Sequence, residues 1–295
     1  MIYPLVREMT EATPRRPVVT VAGRVLGFTR QAYHRWLRHP VSQREEDDLV
    51  MVAAIREIHD QEPQFGHRLI CDELRDQGFT ASERRVWRVC SKYRVFARLG
   101  RQHSRKSRPA RFPAEDDLVR RSFTASSPNR LWLTDITEHH TREGKLYLCA
   151  VKDVWSNRII GWSIGSRMRT ELAVAALADA WNRRGRPEKV IIHSDRGGQF
   201  GSRKYVRVCR LFQITRSMGQ ARTCADNAAM ESFFSLLQKN VLNQKRHWDT
   251  RRELRAAIIT WIEATYNRRR RQRRLGITTP VEYETINADK FTLAA

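Results

Sequence analysis

The sequence predicts an α/β domain, a mixed sheet with helices packed on it, preceded by an all-helical region. Three observations carry this. From about Asn129 three strand-like runs follow one another at hairpin spacing and strands then alternate with helices, the order of a mixed sheet. From Val18 to about Phe96 the apolar positions recur at helical spacing, with short turn signals between them. Between these zones, Arg98 to Arg111 holds six basic residues (Arg98, Arg101, Arg105, Lys106, Arg108, Arg111) and no acid, a composition that cannot pack a core. The expected organisation is a helical region over 1–97, a basic linker over 98–128, an α/β core over 129–285 and a tail over 286–295.

In the helical region, Val21, Ala22, Val25 and Leu26 form a short helix face that Gly27 breaks. Thr29 can cap a second helix carrying Tyr33, Trp36 and Leu37. Helix, glycine turn, helix is the local pattern of a helix-turn-helix. Leu49, Val50, Ala53, Ala54 and Ile58 make the next stripe; after Phe65-Gly66, Leu69, Ile70, Glu73 and Leu74 run to a stop at Gly78. Ser82 then caps a helix through Val86 and Cys90, with Arg84, Arg85 and Arg88 on its polar side.

In the α/β zone, Leu131 to Glu138, Leu146 to Val154 and Arg158 to Ile164 are rich in β-branched and aromatic residues and are joined by short turns. Thr170 opens a helix that ends near Arg184-Gly185. A short buried strand (Lys189 to His193), a helix near Arg203 to Leu211 and a strand (Gln213 to Ser217) follow. Two longer helices close the domain. The first has Asp226 as its cap and Met230, Phe233, Phe234, Leu237 and Val241 as its buried stripe; the second carries Leu254, Ala257, Ile258, Trp261 and Ile262 and runs into Arg268-Arg269-Arg270-Arg271.

With 295 residues the chain can bury one sizeable core beside small modules. Its 55 Lys and Arg against 32 Asp and Glu give a formal charge of +23, which makes a polyanion the natural partner, more so than a membrane surface. No run approaches the roughly 20 apolar residues needed to span a bilayer, and Met1-Ile2-Tyr3-Pro4 lacks a signal-peptide pattern; a cytoplasmic location is expected. Cys71, Cys90, Cys149, Cys209 and Cys224 form no Cys-x-x-Cys pair, which argues against a disulfide framework or a zinc cluster. The candidate phosphate contacts are Arg84, Arg85 and Arg88, then Arg105 and Lys106 in the linker, and Arg268 to Arg271, where six arginines fall within seven residues up to Arg274.

Three carboxylates carry the candidate chemistry. Asp135 shares one face of its strand with Leu131 and Leu133. An ionised carboxylate on such a face is costly unless paired or bound to a cation, although a solvated position on an edge strand would serve as well. Asp195 ends a strand and runs into Arg196-Gly197-Gly198, where open α/β sheets place ligands; a simple helix cap is the alternative. Glu231 borders a buried helical stripe among small polar residues, with Asn227 and Ser235 four positions either side. Carboxylates from two strands and one helix could converge on one pocket. Hard oxygen ligands suit Mg²⁺ or Mn²⁺, and two such ions stabilise both oxygens of an in-line phosphodiester displacement.

Three words surround these acids: Pro128-Asn129-Arg130-Leu131-Trp132 leading to Asp135-Ile136-Thr137, His193-Ser194-Asp195-Arg196-Gly197-Gly198-Gln199-Phe200, and Asp226-Asn227-Ala228 through Glu231-Ser232-Phe233-Phe234. Thirty-five residues, 196 to 230, separate the last two acids. In these words and this spacing the chain resembles the second-reading-frame (OrfB) product of the insertion-sequence-three family of bacterial transposases, within the DDE transposase and retroviral integrase superfamily. Tyr266-Asn267-Arg268 and Pro280-Val281-Glu282-Tyr283 fit the same family. The resemblance implies a ribonuclease-H-like core behind a helical DNA-binding region, with Asp135, Asp195 and Glu231 as catalytic acids and ligands of two Mg²⁺ or Mn²⁺ ions. It implies cleavage at transposon ends and 3′-hydroxyl strand transfer. The partners it implies are terminal inverted repeats, target DNA, an upstream-frame (OrfA) product and further copies of the chain on DNA at the bacterial nucleoid.

Two departures stand out. The family's basic residue seven positions after the glutamate is Gln238 here, with Lys239 next; the eighth position is turned by about 80° from Glu231, the seventh hardly at all. A leucine-zipper segment is also missing, which the family supplies through the upstream product. The alternative function is a DNA-binding regulator or transposase remnant, which would bind without metal and cut nothing; a plain nuclease on the same fold would cut without joining.

Overall fold

The structure, a computed structural model, describes residues 2–12, 18–97, 116–120, 122–219 and 228–288. Two compact units emerge, 1–63 with 73–96, and 64–72 with 97–295.

The first unit is helical: α1 (Tyr3–Ala12), α2 (Val18–Leu26), α3 (Arg30–Arg38), α4 (Gln43–Gln61), the second half of α5 (His67–Asp76) and α6 (Glu83–Lys92). The sequence pattern gave no sign of α1. Its Tyr3 ring lies 5.2 Å from Phe28 and 5.6 Å from Trp36, an aromatic cluster that Tyr33 completes. Ser42 and Glu45 form a capping box at the start of α4, satisfying two otherwise orphaned N–H groups.

The buried stripe of α4 corrects the sequence reading. Leu49 and Val50, expected in the core, are 52% and 63% exposed, and the buried residues are Asp48, Met51, Val52, Ile55 and Ile58. An acid occupies one of the inward positions, so a stripe read from apolar residues alone comes out rotated. Asp48 is tolerated there because Arg85 and Arg88 of α6 reach it at 3.0 and 2.7 Å, as a buried charge requires.

The second unit is built on a five-stranded sheet: β1 (Leu131–Thr141), β2 (Gly144–Asp153), β3 (Ile159–Gly165), β4 (Ile191–Ser194) and β5 (Thr215–Met218) in the order β3-β2-β1-β4-β5. β1, β2 and β3 are antiparallel neighbours, and β4 and β5 join parallel beside β1. This is the mixed sheet the sequence predicts, in ribonuclease-H-like order. Alternation along the strands divides the core in two. On one face Trp132, Cys149, Val151 and Ile160 pack against α7 (Thr170–Arg183) and α8 (Arg203–Leu211). On the other, Leu131, Leu133, Leu148 and Ala150 meet Met230, Phe233 and Leu237 of α9 (Ala228–Asn240), with Leu254 and Ile258 of α10 (Arg251–Thr260). α7 crosses β3 so closely that a Cβ on Gly161 would stand 2.4 Å from the Ala180 backbone nitrogen.

After α10 the chain widens into a π-helical turn, Trp261–Tyr266. Asn267 follows, buried, and its side chain completes the edge of the sheet: Oδ1 accepts the Ile159 N–H at 3.0 Å and Nδ2 donates to the Ile159 carbonyl at 2.9 Å. Tyr266 donates to the Asn157 carbonyl at 3.2 Å. α11 (Pro280–Asn287) starts with a Thr279–Glu282 capping box, and its Glu284 binds Ser156, Arg158 and Arg184. The first terminal word, through Tyr266 and Asn267, and Glu284 immediately after the second thus tie the C-terminal segment to the sheet and its neighbouring turns.

Candidate active site

β1 lies between β2 and β4, so the edge-strand alternative for Asp135 falls away. Leu133 pairs with His193 across the parallel β1–β4 junction; two residues further on stand Asp135, within β1, and Asp195, immediately after β4. Strand periodicity puts both on the Leu131–Leu133 face, the face against which α9 packs. Glu231 sits, exposed, in the first turn of α9, immediately after the buried Met230. The described part of α9 begins at Ala228, so the expected Asp226 cap and Asn227 lie outside the described residues.

Each aspartate is held by backbone. Asp135 Oδ1 accepts the Ile136 N–H at 2.7 Å, and Asp195 Oδ1 accepts the Gly197 N–H at 2.9 Å. A Cβ on Gly197 would lie 2.9 Å from the same Asp195 oxygen, which is the physical reason for a glycine two residues after the acid. Burial pushes the Asp135 carboxyl up to about 8, and the charges of Asp195 and, less strongly, Glu231 push the same way, against the Ile136 hydrogen bond. Burial also raises Asp195, against the bond from Gly197. Among the described residues, no three His, Cys, Asp or Glu side chains stand at metal-holding spacing; Asp135 and Asp195 each bind a neighbouring N–H instead. As a donor set, two aspartates and a glutamate offer hard oxygens, and the mutual repulsion registered at Asp135 is what a divalent cation relieves.

Lys152 was not singled out from the sequence. It stands opposite Leu133 on β2, on the Asp135 face, 5% exposed, and its Nζ donates to the Ala229 carbonyl in the first turn of α9 at 3.3 Å. The signal was available: a lysine within the apolar run Leu146 to Val154, two residues from Ala150. Burial, helped by the charge of Arg274, pushes its pKa down to about 7. Below pH 7 the ammonium is charged in both folded and unfolded chains and the fold bears the full desolvation cost. Between 7 and the ordinary lysine value the unfolded chain binds the extra proton, so this cost fades as pH rises. Lys152→Met should therefore stabilise the second unit by a few kcal/mol at pH 6. That gain should shrink steadily toward pH 10, as read from denaturant unfolding of both proteins across this range; a pH-independent difference would refute the assignment.

The candidate DNA contacts fare unequally. Arg84 is exposed on α6, whereas Arg85 and Arg88 are engaged by Asp48. Arg105 and Lys106 lie outside the described residues. Lys239 is half-buried in the last turn of α9. The arginine run does not continue a helix: Arg268 and Arg269 are exposed in a turn beyond the π-helical segment, and Arg270 and Arg271 are half-buried in the irregular stretch that follows. Arg274 donates to Asn157 Oδ1 and the Phe123 carbonyl. Cys71, Cys90, Cys149 and Cys209 are buried and in no disulfide among the described residues; Cys224 lies outside the described residues. No helix among the described residues is long and apolar enough to cross a membrane.

A five-stranded sheet in this order, with one acid inside its central strand β1 and a second just past the end of β4, the parallel strand beside it, defines an integrase-type core. Residues 125–224 and 212–280 match families described as Integrase core domain, and residues 45–103 match an HTH-like domain. The chain is 36% identical over 272 residues to the transposase InsF for insertion sequence IS3A of Escherichia coli (strain K12), covering 90% of this chain and 93% of that protein. It is 31% identical over 261 residues to an uncharacterized 31 kDa protein of insertion element IS600 from Shigella sonnei, covering 88% and 96%. Among solved structures, the HTLV-2 integrase catalytic core domain in complex with magnesium aligns with a TM-score of 0.44 at 20% identity, over 54% of this chain and 99% of that one. The chain belongs to the IS3 family of insertion-sequence transposases.

Proposed function

We propose that this transposase cuts and joins DNA at the ends of its own element through Asp135, Asp195 and Glu231, which hold Mg²⁺ or Mn²⁺. The observation that supports this most is the strand register: Asp135 and Asp195 follow the Leu133–His193 pair on neighbouring parallel strands, on the face that α9 covers with Glu231 in its first turn. Asp135, Asp195 and Glu231 would hold the ions as a pair, in the two-metal manner, and bound metal would supply charge stabilisation to the entering and leaving oxygens of an in-line displacement. The chain's own residues orient the acids. Ile136 and Gly197 fix the two aspartates through backbone N–H groups, and Lys152 ties the first turn of α9 to β2. No protein nucleophile enters. Water attacks the phosphodiester at the element end and a P–O bond breaks to free a 3′-hydroxyl; that hydroxyl then attacks a target phosphodiester, forming one P–O bond for the one broken. Arg84, Lys239, Arg268 to Arg271 and the linker residues Arg105 and Lys106 contribute to binding the terminal repeats and target DNA. An upstream-frame product and further copies of the chain complete the assembly on DNA.

The test is a labelled duplex carrying the element's flanking inverted repeats, incubated with Mg²⁺ or with chelator. Nicked and joined products are expected only with Mg²⁺, and calorimetric titration with Mn²⁺ should detect binding independently of turnover. Absence of nicking even with the upstream-frame product added would overturn the reading.

A further inference from the structure

The proposed function leaves the first pair of helices, α2 and α3, without a role. Only Gly27, Phe28 and Thr29 separate them, the length a helix-turn-helix turn needs. Gly27 stands at φ +74° and the Phe28 N–H bonds back to the Gly23 carbonyl at 3.0 Å, a six-to-one closure that only a left-handed residue permits. A Cβ on Gly23 would meet the Phe28 carbonyl oxygen at 2.7 Å, so a second glycine sets how closely the turn folds back. Thr29 then caps α3, accepting the Ala32 N–H at 3.1 Å. Tyr33 is buried, and its ring lies 6.1 Å from Tyr3 and 6.4 Å from Phe28, which fixes the inner side of α3.

The outer side is polar and basic. Arg30, Gln31, His34, Arg35 and Arg38 are all exposed, and their spacing puts them on one helix face. From Val18 to His39 there are four arginines and no aspartate or glutamate. The other candidate reading helix, α6, is separated from α5 by six residues, 77 to 82, and two of its three arginines serve Asp48. The HTH-like match begins at residue 45, beyond α3.

We infer that α3 is a second DNA-reading helix, which enters the major groove of duplex DNA at the element ends. Its first two turns carry the residues that address bases. Arg30 can pair with guanine O6 and N7, Gln31 with adenine N6 and N7, and His34 follows one turn on; Arg35 and Arg38 meet phosphates. The inference rests on the reading of the chain as a transposase that binds its own ends.

The test uses the full chain, hydroxyl-radical footprinting on duplex carrying the terminal repeats, and affinity for that duplex against a scrambled one across a salt series. In Arg30→Ala/Gln31→Ala/His34→Ala, one patch of protection should vanish and the preference for the repeat should fall at least about tenfold. Arg35→Ala/Arg38→Ala should weaken both duplexes alike and flatten the log affinity against log salt plot by roughly two. All five side chains are exposed, so both variants should melt as the wild type does. An unchanged footprint and preference in the triple variant overturns the inference while leaving the catalytic reading intact. Unchanged DNA binding with altered self-association in sedimentation also overturns it and assigns the face to a protein partner. If the wild type protects no part of the repeats, end recognition and this inference fall together, and Mg²⁺-dependent nicking of unrelated duplex would show whether the catalytic reading survives.

Discussion

Asp195→Asn and Glu231→Gln should each slow strand cleavage by about a thousandfold or more, with DNA binding in chelator unchanged. Each substitution keeps the shape of the side chain and removes a negative charge that the proposed metal site needs. Metal-assisted stabilisation of the displaced oxygens contributes several kcal/mol, and about 4 kcal/mol corresponds to three orders of magnitude in rate. Asp195 accepts the Gly197 N–H, a bond an asparagine oxygen can still accept, so the turn should survive and the loss should be chemical. Single-turnover cleavage of end-labelled duplex, beside anisotropy with the same duplex, separates the two effects. Cleavage at the wild-type rate in either variant would remove that residue from the catalytic set, and equal loss of binding would recast it as a DNA contact.

The second large effect falls on the helical unit. Arg85→Met/Arg88→Met leaves Asp48, 1% exposed, without its two guanidinium partners. An uncompensated buried charge costs about 3–5 kcal/mol; because both arginines are partly exposed, a discounted 2–3 kcal/mol is expected here. Adding Asp48→Met should return most of that stability, since the acid itself is then gone. Burial alone would raise the Asp48 carboxyl, but the hydrogen bonds and charges of Arg88 and Arg85 together hold it below its ordinary value. The pair's contribution is therefore fully present above about pH 4 and is lost as pH falls through the lowered folded value. Thermal melts of wild type, double and triple variants at pH 7 and pH 3 check all of this. A double variant that melts like wild type at pH 7 would mean that these arginines hold no buried charge and are available to DNA.

Much of the catalytic unit is legible in the chain because its strands are central and buried. Leu131 to Glu138 and Leu146 to Val154 read as strands on composition alone, and the buried stripe of α9 follows from Met230, Phe233 and Leu237. The helical unit is harder to read. α1 is short, and what holds it in place is the packing of Tyr3 on Phe28 and Trp36, residues more than twenty positions away. The α4 stripe was misread because Asp48 takes an apolar place, which only its partners on α6 make tolerable. The arginines after Tyr266 look alike in sequence, yet Arg268 is exposed while Arg270 is half-buried, a difference decided by where the chain leaves the helix.

By itself the sequence determined the mixed sheet, the helical region before it, the family and the three acids as candidates. It could do so because periodicity, turn chemistry and local words are properties of neighbouring residues. What only the tertiary structure decided is which candidates share a place. Asp135 and Asp195 come side by side because β1 and β4 pair in parallel with Leu133 against His193, a register between segments sixty residues apart. The same holds for Lys152 against the first turn of α9 and for Asn267 against Ile159. Such contacts are set by how faces pack in space, and no local pattern along the chain encodes them.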